Sequence, residues 1–452
     1  MAQLAPLRGL HYNGIKVPDP EAVVTPPYDV ISPKEREVYA ARHPQNMVHL
    51  ILPQPQPGDN LIKNRYTRAA ALFSQWRREE ILIRAPEPAF YYWETIFTLE
   101  GRRHTRRGLA GLVRLEPFSA GVVRPHEQTF SAIKADRLEL LKHAEAQFSP
   151  IFSLYPDPDD RVMALLQGAS PAEPMMDFNG PEGHEERIFR VTDPACLKEV
   201  CLTLKDAPIY IADGHHRYET ALAYRKWISQ QYPQASPQAA FNYILMYLAN
   251  LHDPDLVILP AHRLLKGPRL KHVEEAPLLQ HLKTYFEVEP LPAPAGPGDV
   301  YGEFLEQTLK EGRPQGSVFV MAGFGGKTWL LTLKPGVAGA ILGRQMNPAL
   351  ARLDVVVLNY LIFEKILRLD STAQDDKETC QYTSRIPEAL AALNRGEVQL
   401  AFLLNPTLID QVQGVATAGL IMPRKSTYFY PKVITGVVLN PVDRREEIIS
   451  PC

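Results

Sequence analysis

The sequence predicts a mixed α/β protein, of the α/β or α+β class, and three observations support this. Short apolar runs of strand-like composition, such as residues 89–97, alternate along the chain with amphipathic segments of helical length, such as residues 131–146. Ser32-Pro33-Lys34-Glu35 has the form of a helix N-cap followed by proline at the first helical position. The 41 prolines do not form a repeated tract and therefore indicate turns in a loop-rich fold.

The chain of 452 residues is long enough for two or three hydrophobic cores. Its composition predicts an N-terminal α/β region over residues 1–88, a chemistry-rich core over residues 89–270 and a C-terminal α/β region over residues 271–452. Within the core, residues 156–184 are rich in Pro, Asp, Gly and Met, which favours a surface insertion. Residues 290–298 have the composition of a linker.

Charge and apolar content argue against nucleic-acid binding and against a membrane-spanning segment. The net charge is −2 with both signs interspersed, so the chain lacks the basic field typical of nucleic-acid binding. The longest apolar stretches are residues 239–251, which are too few to span a bilayer, and residues 353–369, which contain charged side chains. The first 14 residues hold no apolar run of signal-peptide length. With only four cysteines, the expected protein is cytoplasmic and has reduced thiols.

The most informative segment predicts an anion site. An apolar strand over residues 208–212 runs into Asp213-Gly214, and a helix is expected to begin near His216. The first N–H groups of a helix have no intrahelical partner, and the helix dipole adds partial positive charge, so such a turn attracts phosphate. Gly214 permits close approach, while His215, His216 and Arg217 add donors. Asp213 fits either an N-cap or a ligand for the Mg²⁺ that accompanies phosphates.

The plainer alternative is a capped helix with two surface histidines, and the cluster of two histidines and an arginine favours the anion site over it. Zinc fits poorly, because adjacent histidines in one helical turn diverge. Gly325-Gly326-Lys327-Thr328 ends like a nucleotide-binding P-loop. However, Met321 stands where the motif needs glycine, and both flanks are strand-like. This segment is therefore predicted to be a β-hairpin turn.

Several motifs together resemble a prokaryotic family known as domain of unknown function 1015 (DUF1015), and the resemblance covers nearly the whole chain. Its motifs here are Thr25-Pro26-Pro27-Tyr28-Asp29-Val30-Ile31, Arg124-Pro125-His126-Glu127, Ile211-Ala212-Asp213-Gly214-His215-His216-Arg217-Tyr218-Glu219-Thr220-Ala221-Leu222, Leu259-Pro260-Ala261-His262-Arg263-Leu264 and Met422-Pro423-Arg424-Lys425-Ser426-Thr427-Tyr428-Phe429-Tyr430-Pro431-Lys432. The family label names no activity.

The order of two of these motifs is similar to that in the free L-serine kinases of the ParB/sulfiredoxin superfamily. Those proteins place a Lys-Pro-His-Glu stretch, a helix and a Pro-Ile strand before an Asp-Gly-His-His-Arg turn. This resemblance implies a ParB/sulfiredoxin-like core with N-terminal and C-terminal α/β additions. It also implies that Glu127 is the catalytic base and that Asp213, Gly214, His215, His216 and Arg217 bind nucleotide phosphates and Mg²⁺. About sixty residues, near 155–206, separate the strand from the turn here, whereas the kinases join them almost directly.

These features predict a nucleotide-dependent kinase for a small hydroxyl compound, with free L-serine the leading substrate and ADP, ATP or CTP as the nucleotide. The alternative is a CTP-type nucleotide-binding switch without kinase activity, which the absence of a basic helix-turn-helix disfavours. A sulfiredoxin-like redox role needs a cysteine in residues 213–217, and that stretch has none. Arg124, His126, His262 and Arg263 are weaker candidates for the site.

Overall fold

The computed structural model describes residues 1–127, 129, 131–292 and 298–451. The chain divides into two compact units. Unit 1 contains Met1–Pro125, Thr129–Leu256 and the C-terminal segment from Pro431, whereas unit 2 contains His126, Glu127 and Val257–Tyr430. The fold is of the mixed α/β class that the sequence predicts, since helices and strands alternate through both units.

Unit 1 is built on a large mixed sheet. The strands of unit 1 up to residue 250 are β1 Leu4–Ala5, β2 Leu10–Tyr12, β3 Leu82–Arg84, β4 Phe90–Leu99, β5 Arg102–Arg114, β6 Val123–Arg124, β7 Ala146–Gln147, β8 Ile151–Tyr155, β9 Met176–Asn179, β10 Glu185–Val191, β11 Ile209–Asp213 and β12 Tyr243–Asn250. The order in the sheet is β6-β11-β8-β12-β5-β4-β10-β9, and β1 pairs with β5. The pairs β6–β11 and β8–β12 are parallel, and the other ladders are antiparallel.

The central strands of this sheet are buried along nearly their whole length. Every position of β12 and of β8 is buried, and apart from Ser153 and Asn250 both strands are apolar on both faces rather than alternating. The α-helices of unit 1 are α1 Pro33–Arg42, α2 Val48–Ile51, α3 Arg65–Arg78, α4 Ser131–Ala144, α5 Arg161–Ala169, α6 Pro194–Leu204 and α7 His215–Gln231. Ser32 caps α1 and forms a capping box with Glu35, as the sequence predicts.

The prediction that residues 156–184 form a surface insertion is wrong. Val162, Met163 and Leu166 of α5 are buried in the main core of the unit. Their spacing places them on one face of α5, and α5 packs against α6. β9 and β10 continue the sheet beyond β4. The turn-forming residues that suggested an insertion occupy only the connections between these elements.

Unit 2 contains a second sheet, which is antiparallel throughout. The strands of unit 2 are β13 Val257–Leu259, β14 His262–Leu265, β15 Phe286–Pro290, β16 Val318–Gly323, β17 Lys327–Leu333, β18 Cys380–Thr383, β19 Leu400–Leu404 and β20 Tyr428–Tyr430. The order is β15-β17-β16-β19-β14-β18, and β13 pairs separately with β20. Its α-helices are α8 Glu275–Leu282, α9 Gly298–Gly312, α10 Pro348–Ala351, α11 Asp354–Val357, α12 Ser371–Asp375, α13 Ile386–Asn394 and α14 Ile409–Thr417.

Two predictions within unit 2 have clear outcomes. The hairpin prediction for Gly325–Thr328 is confirmed, because β16 and β17 pair on either side of Phe324, Gly325 and Gly326, which all have positive φ. The sequence pattern of residues 348–369 also predicts a single helix, and this prediction is wrong. Leu353 is extended, with φ −82° and ψ 126°, so α10 and α11 are separate, and the π-helical segment Leu358–Ile366 follows α11. Of the predicted linker, residues 293–297 lie outside the described residues.

The C-terminal segment returns to unit 1. β21, Asn440–Pro441, pairs with β7, and Leu439 exchanges backbone hydrogen bonds with Leu10. Thr435 pairs in the same way with Thr25. The two units therefore differ from the three regions predicted by composition, since the chain before residue 88 and the segment after residue 430 share one unit. No helix in the described chain has both the length and the apolar character needed to cross a bilayer.

Candidate functional site

The predicted phosphate turn lies where β11 leaves the sheet. β11 is flanked by β6 and β8, and its first four residues are buried. The register with β8 shifts between Ile211 and Asp213, so the strand ends in an irregularity that turns the chain out of the sheet. Gly214 follows in the left-handed conformation, with φ 98° and ψ 25°. A Cβ atom there would lie 2.9 Å from the Arg217 guanidinium, so glycine is needed for both its conformation and its size.

Helix α7 begins immediately after this glycine. The N–H of Tyr218 donates to the carbonyl of Gly214 at 3.1 Å, which is the first hydrogen bond of the helix. The backbone N–H groups of the preceding residues therefore belong to the helix N-terminus, where the dipole favours an anion. His215 is buried and His216 is half-buried. The strand, glycine and helix order predicted from the sequence is present, with the helix starting one residue earlier than predicted.

Two cations share the Asp213 carboxylate. The Arg217 guanidinium donates to Oδ2 at 2.6 Å, and the Lys432 ammonium donates to Oδ1 at 2.6 Å. The Arg217 and Lys432 side chains are only 11% and 9% exposed, so this ion-pair cluster is held away from bulk water. Lys432 also shares a small cleft with Glu182. Sequence reasoning did not assign Lys432 a role, although it ends the last of the family motifs.

This arrangement supports neither of the two roles that the sequence left open for Asp213. Gly214 occupies the N-cap position, so Asp213 is not the cap. Both of its oxygens already accept from cations, and a Mg²⁺ ion would have to displace one of them. The carboxylate as it stands does not fit a magnesium ligand. In the described chain no group of three or more His, Cys, Asp and Glu is placed to hold a metal ion.

Arg217 is oriented by the protein itself. Besides Asp213, its guanidinium donates to the backbone carbonyl of Pro150. It also lines a cavity of about 70 Å³, together with Tyr28, Ser149 and Thr220. Thr220 is 3% exposed, and in the described chain its hydroxyl has no hydrogen-bond partner. A polar compound of a few heavy atoms could meet both the arginine and this hydroxyl in the cavity.

The N-terminal family motif contributes Tyr28 to the same region. Its ring lies under the Arg137 guanidinium, 4.4 Å from the ring centroid. Burial raises the pKa of Tyr28 to about 12, Asp29 adds to the rise, and Arg217 and Arg137 oppose it. The hydroxyl therefore stays protonated at neutral pH and can donate a hydrogen bond. No sequence signal separated this tyrosine from an ordinary turn residue.

Helix α4 is tied to α7 by charged side chains. Lys134 pairs with Glu219, which also accepts from Thr129 Oγ1 at 2.9 Å. Asp136 accepts from Arg65 at 2.6 Å and is paired with Arg137. These residues hold α3, α4 and α7 together, so this charged face of α4 is an internal network of unit 1.

Glu127 belongs to unit 2, where the C-terminal motif holds it. It forms a parallel bridge with Met422, and its carboxylate accepts from the backbone N–H of Lys425 at 3.2 Å. Lys425 is in the left-handed conformation, with a φ of 54°. His126 is fully buried, and its Nε2 lies 3.0 Å from Thr427 Oγ1. The predicted convergence of Glu127 with the turn of unit 1 stays a prediction.

The weaker candidates differ in their surroundings. Arg124 donates to the carbonyl of Gly121 at 3.0 Å and lies against Tyr210 of β11. His262 is 2% exposed in the sheet of unit 2, its Nδ1 accepts from the Leu404 N–H, and burial lowers its pKa to about 3. Arg263, 1% exposed, stacks on Tyr382. His262 is therefore a neutral core residue within that sheet.

Comparison with known proteins places the chain in a family. The model of the family Protein of unknown function (DUF1015) matches residues 4–356. The chain belongs to this family. No curated protein matches the chain in sequence.

Solved structures show only distant likeness. One is a free serine kinase mutant in complex with AMP, with 12% identity and a TM-score of 0.36, covering 75% of this chain and 93% of its own. Another mutant of a free serine kinase, in complex with ADP, has 11% identity and a TM-score of 0.37, with coverage of 75% and 94%. A conserved hypothetical protein from Pyrococcus furiosus has 14% identity and a TM-score of 0.34, with coverage of 73% and 94%.

Proposed function

We propose that the turn Asp213–Arg217 binds the phosphates of a nucleotide and that the chain transfers a phosphoryl group to a small hydroxyl compound. Free L-serine is the first acceptor to test, as the order of the motifs suggests. The observation that carries the proposal is the junction of β11 and α7. A strand end, a left-handed Gly214 and a helix N-terminus lie beside two cations that share one carboxylate.

The charges at this junction favour an anion. Arg217 and Lys432 place two positive charges beside the Asp213 carboxylate, and both side chains are mostly shielded from water. A phosphate group near the first turn of α7 would lie close to these two cations and accept from the backbone N–H groups of that turn. Gly214 would allow the phosphate to approach the backbone without a Cβ atom in the way.

The chemistry of the proposal requires a base. As the acceptor oxygen forms a bond to the terminal phosphorus, the bond from phosphorus to the bridging oxygen of the nucleotide breaks, and the hydroxyl proton must leave. Glu127 is proposed to take this proton. Its hydrogen bond from the Lys425 N–H would hold the carboxylate in one orientation, as a base requires. Arg217 and Lys432 would offset charge on the transferred group.

The nucleotide is left open among ADP, ATP and CTP. A requirement for Mg²⁺ stays a prediction, and any bound ion is expected to arrive with the nucleotide rather than through Asp213. Phosphorus NMR with each nucleotide, against a panel of amino acids and polyols, would identify donor and acceptor together. If nucleotide binds but no acceptor is phosphorylated, the alternative function, a nucleotide-binding switch without kinase activity, would be favoured.

The decisive variant is Glu127→Gln, which keeps the shape of the side chain and removes the base. Turnover is expected to fall roughly 10²–10⁴-fold while nucleotide affinity stays unchanged. Glu199→Gln, at an exposed site on α6, is the matched control and should change neither quantity. Transfer at near full rate by the Glu127 variant would contradict the proposed base.

The donor site is tested separately by binding. Arg217→Ala and Lys432→Met are each expected to weaken nucleotide affinity by roughly tenfold or more, because each removes a charge-assisted contact. Lys327→Ala should leave the affinity unchanged, because Lys327 lies at the start of β17 and pairs with Glu275 at 2.7 Å. A large loss for Lys327 and none for Arg217 would move the nucleotide away from the proposed turn.

A further inference from the structure

Unit 2 contains a cavity of about 310 Å³ that the proposed phosphotransfer does not use. Its volume is at the lower end of the range of about 300–1,000 Å³ that is usual for small-molecule sites. The cavity is lined by apolar side chains on one part of its wall and by groups of both charges on another. Its residues all belong to unit 2.

The π-helical segment Leu358–Ile366 supplies one polar wall. Asn359, Tyr360 and Glu364 all line the cavity. Backbone hydrogen bonds of a π-helix join residues five apart, so Asn359 and Glu364 lie one turn apart on nearly the same face. In an α-helix residues with this spacing would diverge. The π-helical geometry therefore places the side chains of Asn359 and Glu364 at the same cavity.

Of these two groups, the Asn359 oxygen is buried and the Glu364 carboxylate is partly exposed. The side-chain oxygen of Asn359 is buried, and in the described chain it accepts no hydrogen bond. A buried acceptor without a donor costs about 1–3 kcal/mol. Glu364 makes no ion pair within 4.0 Å in the same part of the chain. Partial burial raises the pKa of its carboxyl, although Lys365 opposes the rise. A donor that carries positive charge would satisfy both groups.

The remaining walls narrow the choice of ligand. Met346, Leu350, Val356 and Ile421 form an apolar surface. Arg424 also lines the cavity, and its guanidinium lies 2.9 Å from Asp375. The cavity therefore offers acceptors for an ammonium group, a guanidinium beside which a carboxylate can lie, and space for an apolar group.

We infer that this cavity binds a free α-amino acid with an apolar side chain. Its ammonium group would lie at Asn359 and Glu364, its carboxylate near Arg424, and its side chain against the apolar wall. Phosphate-bearing ligands fit less well, because a phosphate carries more negative charge than a carboxylate and brings no cationic group for Glu364. The inference does not depend on the proposed kinase activity, whose nucleotide would bind to the turn Asp213–Arg217 of unit 1.

Isothermal titration calorimetry with the full chain tests the ligand class. L-Leucine, L-methionine and L-phenylalanine are expected to bind, and L-serine more weakly, because it leaves the apolar wall uncovered. The N-acetyl derivatives, which lack the ammonium, should lose at least tenfold in affinity, and the amino acid amides, which lack the carboxylate, should lose affinity too. Equal affinity for L-leucine and its N-acetyl derivative, or no binding by any of the three at millimolar concentration, would overturn the inference.

Two variants locate the ligand. Glu364→Gln removes the negative charge and should lower the affinity for L-leucine by roughly tenfold or more. Glu303→Gln, at an exposed site on α9, should leave this affinity unchanged. Asn359→Leu should weaken binding while the melting temperature of the free protein is kept, because it replaces an acceptor that had no donor. Unchanged affinity in both cavity variants would contradict the placement. Gly214→Ala, in unit 1, should leave L-leucine affinity intact, so the two proposals can fail independently.

Discussion

A buried carboxyl, that of Glu186, links the stability of unit 1 to pH. Glu186 is 1% exposed and accepts from Trp93 Nε1 at 2.6 Å and from Thr95 Oγ1 at 2.8 Å. Burial raises its pKa to about 7, and these two donors together with Arg106 oppose the rise. The protonated form is therefore favoured in the folded protein at mildly acidic pH.

This pKa predicts that the free energy of unfolding falls as pH rises. The folded state holds the proton up to about pH 7, whereas an unfolded Glu releases it near pH 4.5, so the stabilisation is complete at low pH and is lost between these values. The loss amounts to about 3 kcal/mol for this shift. Glu186→Gln mimics the neutral acid and should flatten the dependence in urea unfolding between pH 5 and pH 8, taken as roughly the window of the shift.

Glu185→Gln is the control for this experiment, because Glu185 is the preceding residue and its side chain is 40% exposed beside Arg103. It should leave the pH dependence of the wild type in place. If Glu186→Gln shows the full dependence of the wild type, the carboxyl is ionised in the folded protein, and another group causes the pH response.

At the scale of elements, prediction succeeded where a local signal dominated. The β11–Gly214–α7 junction was predictable because an apolar run, a glycine and a helix-forming segment follow one another. The helix over residues 348–369 was not, because Leu353 is extended and the backbone beyond Val357 is π-helical, and apolar periodicity records neither feature. In α5, three buried apolar residues were obscured by the turn-forming residues around them.

The junction predicts a large effect for Gly214→Ala. A φ of 98° is unfavourable for alanine, and its Cβ would lie 2.9 Å from an arginine that Asp213 and Pro150 already hold. The free energy of unfolding is expected to fall by about 1–3 kcal/mol. Nucleotide affinity should fall as well, because the start of α7 must move to relieve the contact. Chemical denaturation and nucleotide titration measure the two effects.

Gly168→Ala provides the matched comparison, since Gly168 lies in α5 with no atom within 4 Å of a built Cβ. Alanine there should raise the free energy of unfolding by about 0.5–1 kcal/mol, because it lowers the entropy of the unfolded chain and favours the helix. Equal effects of the two substitutions would show that the conformation of Gly214 is not what requires glycine.

At the scale of the whole molecule, what the sequence could not supply is long-range pairing. Lys432 reaches Asp213 across 219 positions of the chain. Glu127 is held by Lys425 across 298 positions. Periodicity and spacing report only on neighbours in sequence, so the residues of each motif were visible but their partners were not. The return of the C-terminal segment to unit 1 escaped prediction for the same reason.

That return predicts that a residue close to the C-terminus stabilises the N-terminal part of unit 1. Leu439 is fully buried in a core cluster with Leu10, Tyr12 and Phe148, and its backbone pairs with Leu10 in both directions. Leu439→Ala removes buried apolar volume and should lower the free energy of unfolding by about 2–5 kcal/mol. Hydrogen exchange should quicken at the amides of Leu10 and Thr25, which pair with the returning segment.

Leu202→Ala, at a 41% exposed site on α6, is the control and should change the free energy of unfolding and these exchange rates little. Unaltered exchange at Leu10 in the Leu439 variant would mean that the N-terminal strands are stable without their contacts to the C-terminal segment. The prediction that this segment stabilises the N-terminal part of unit 1 would then be wrong.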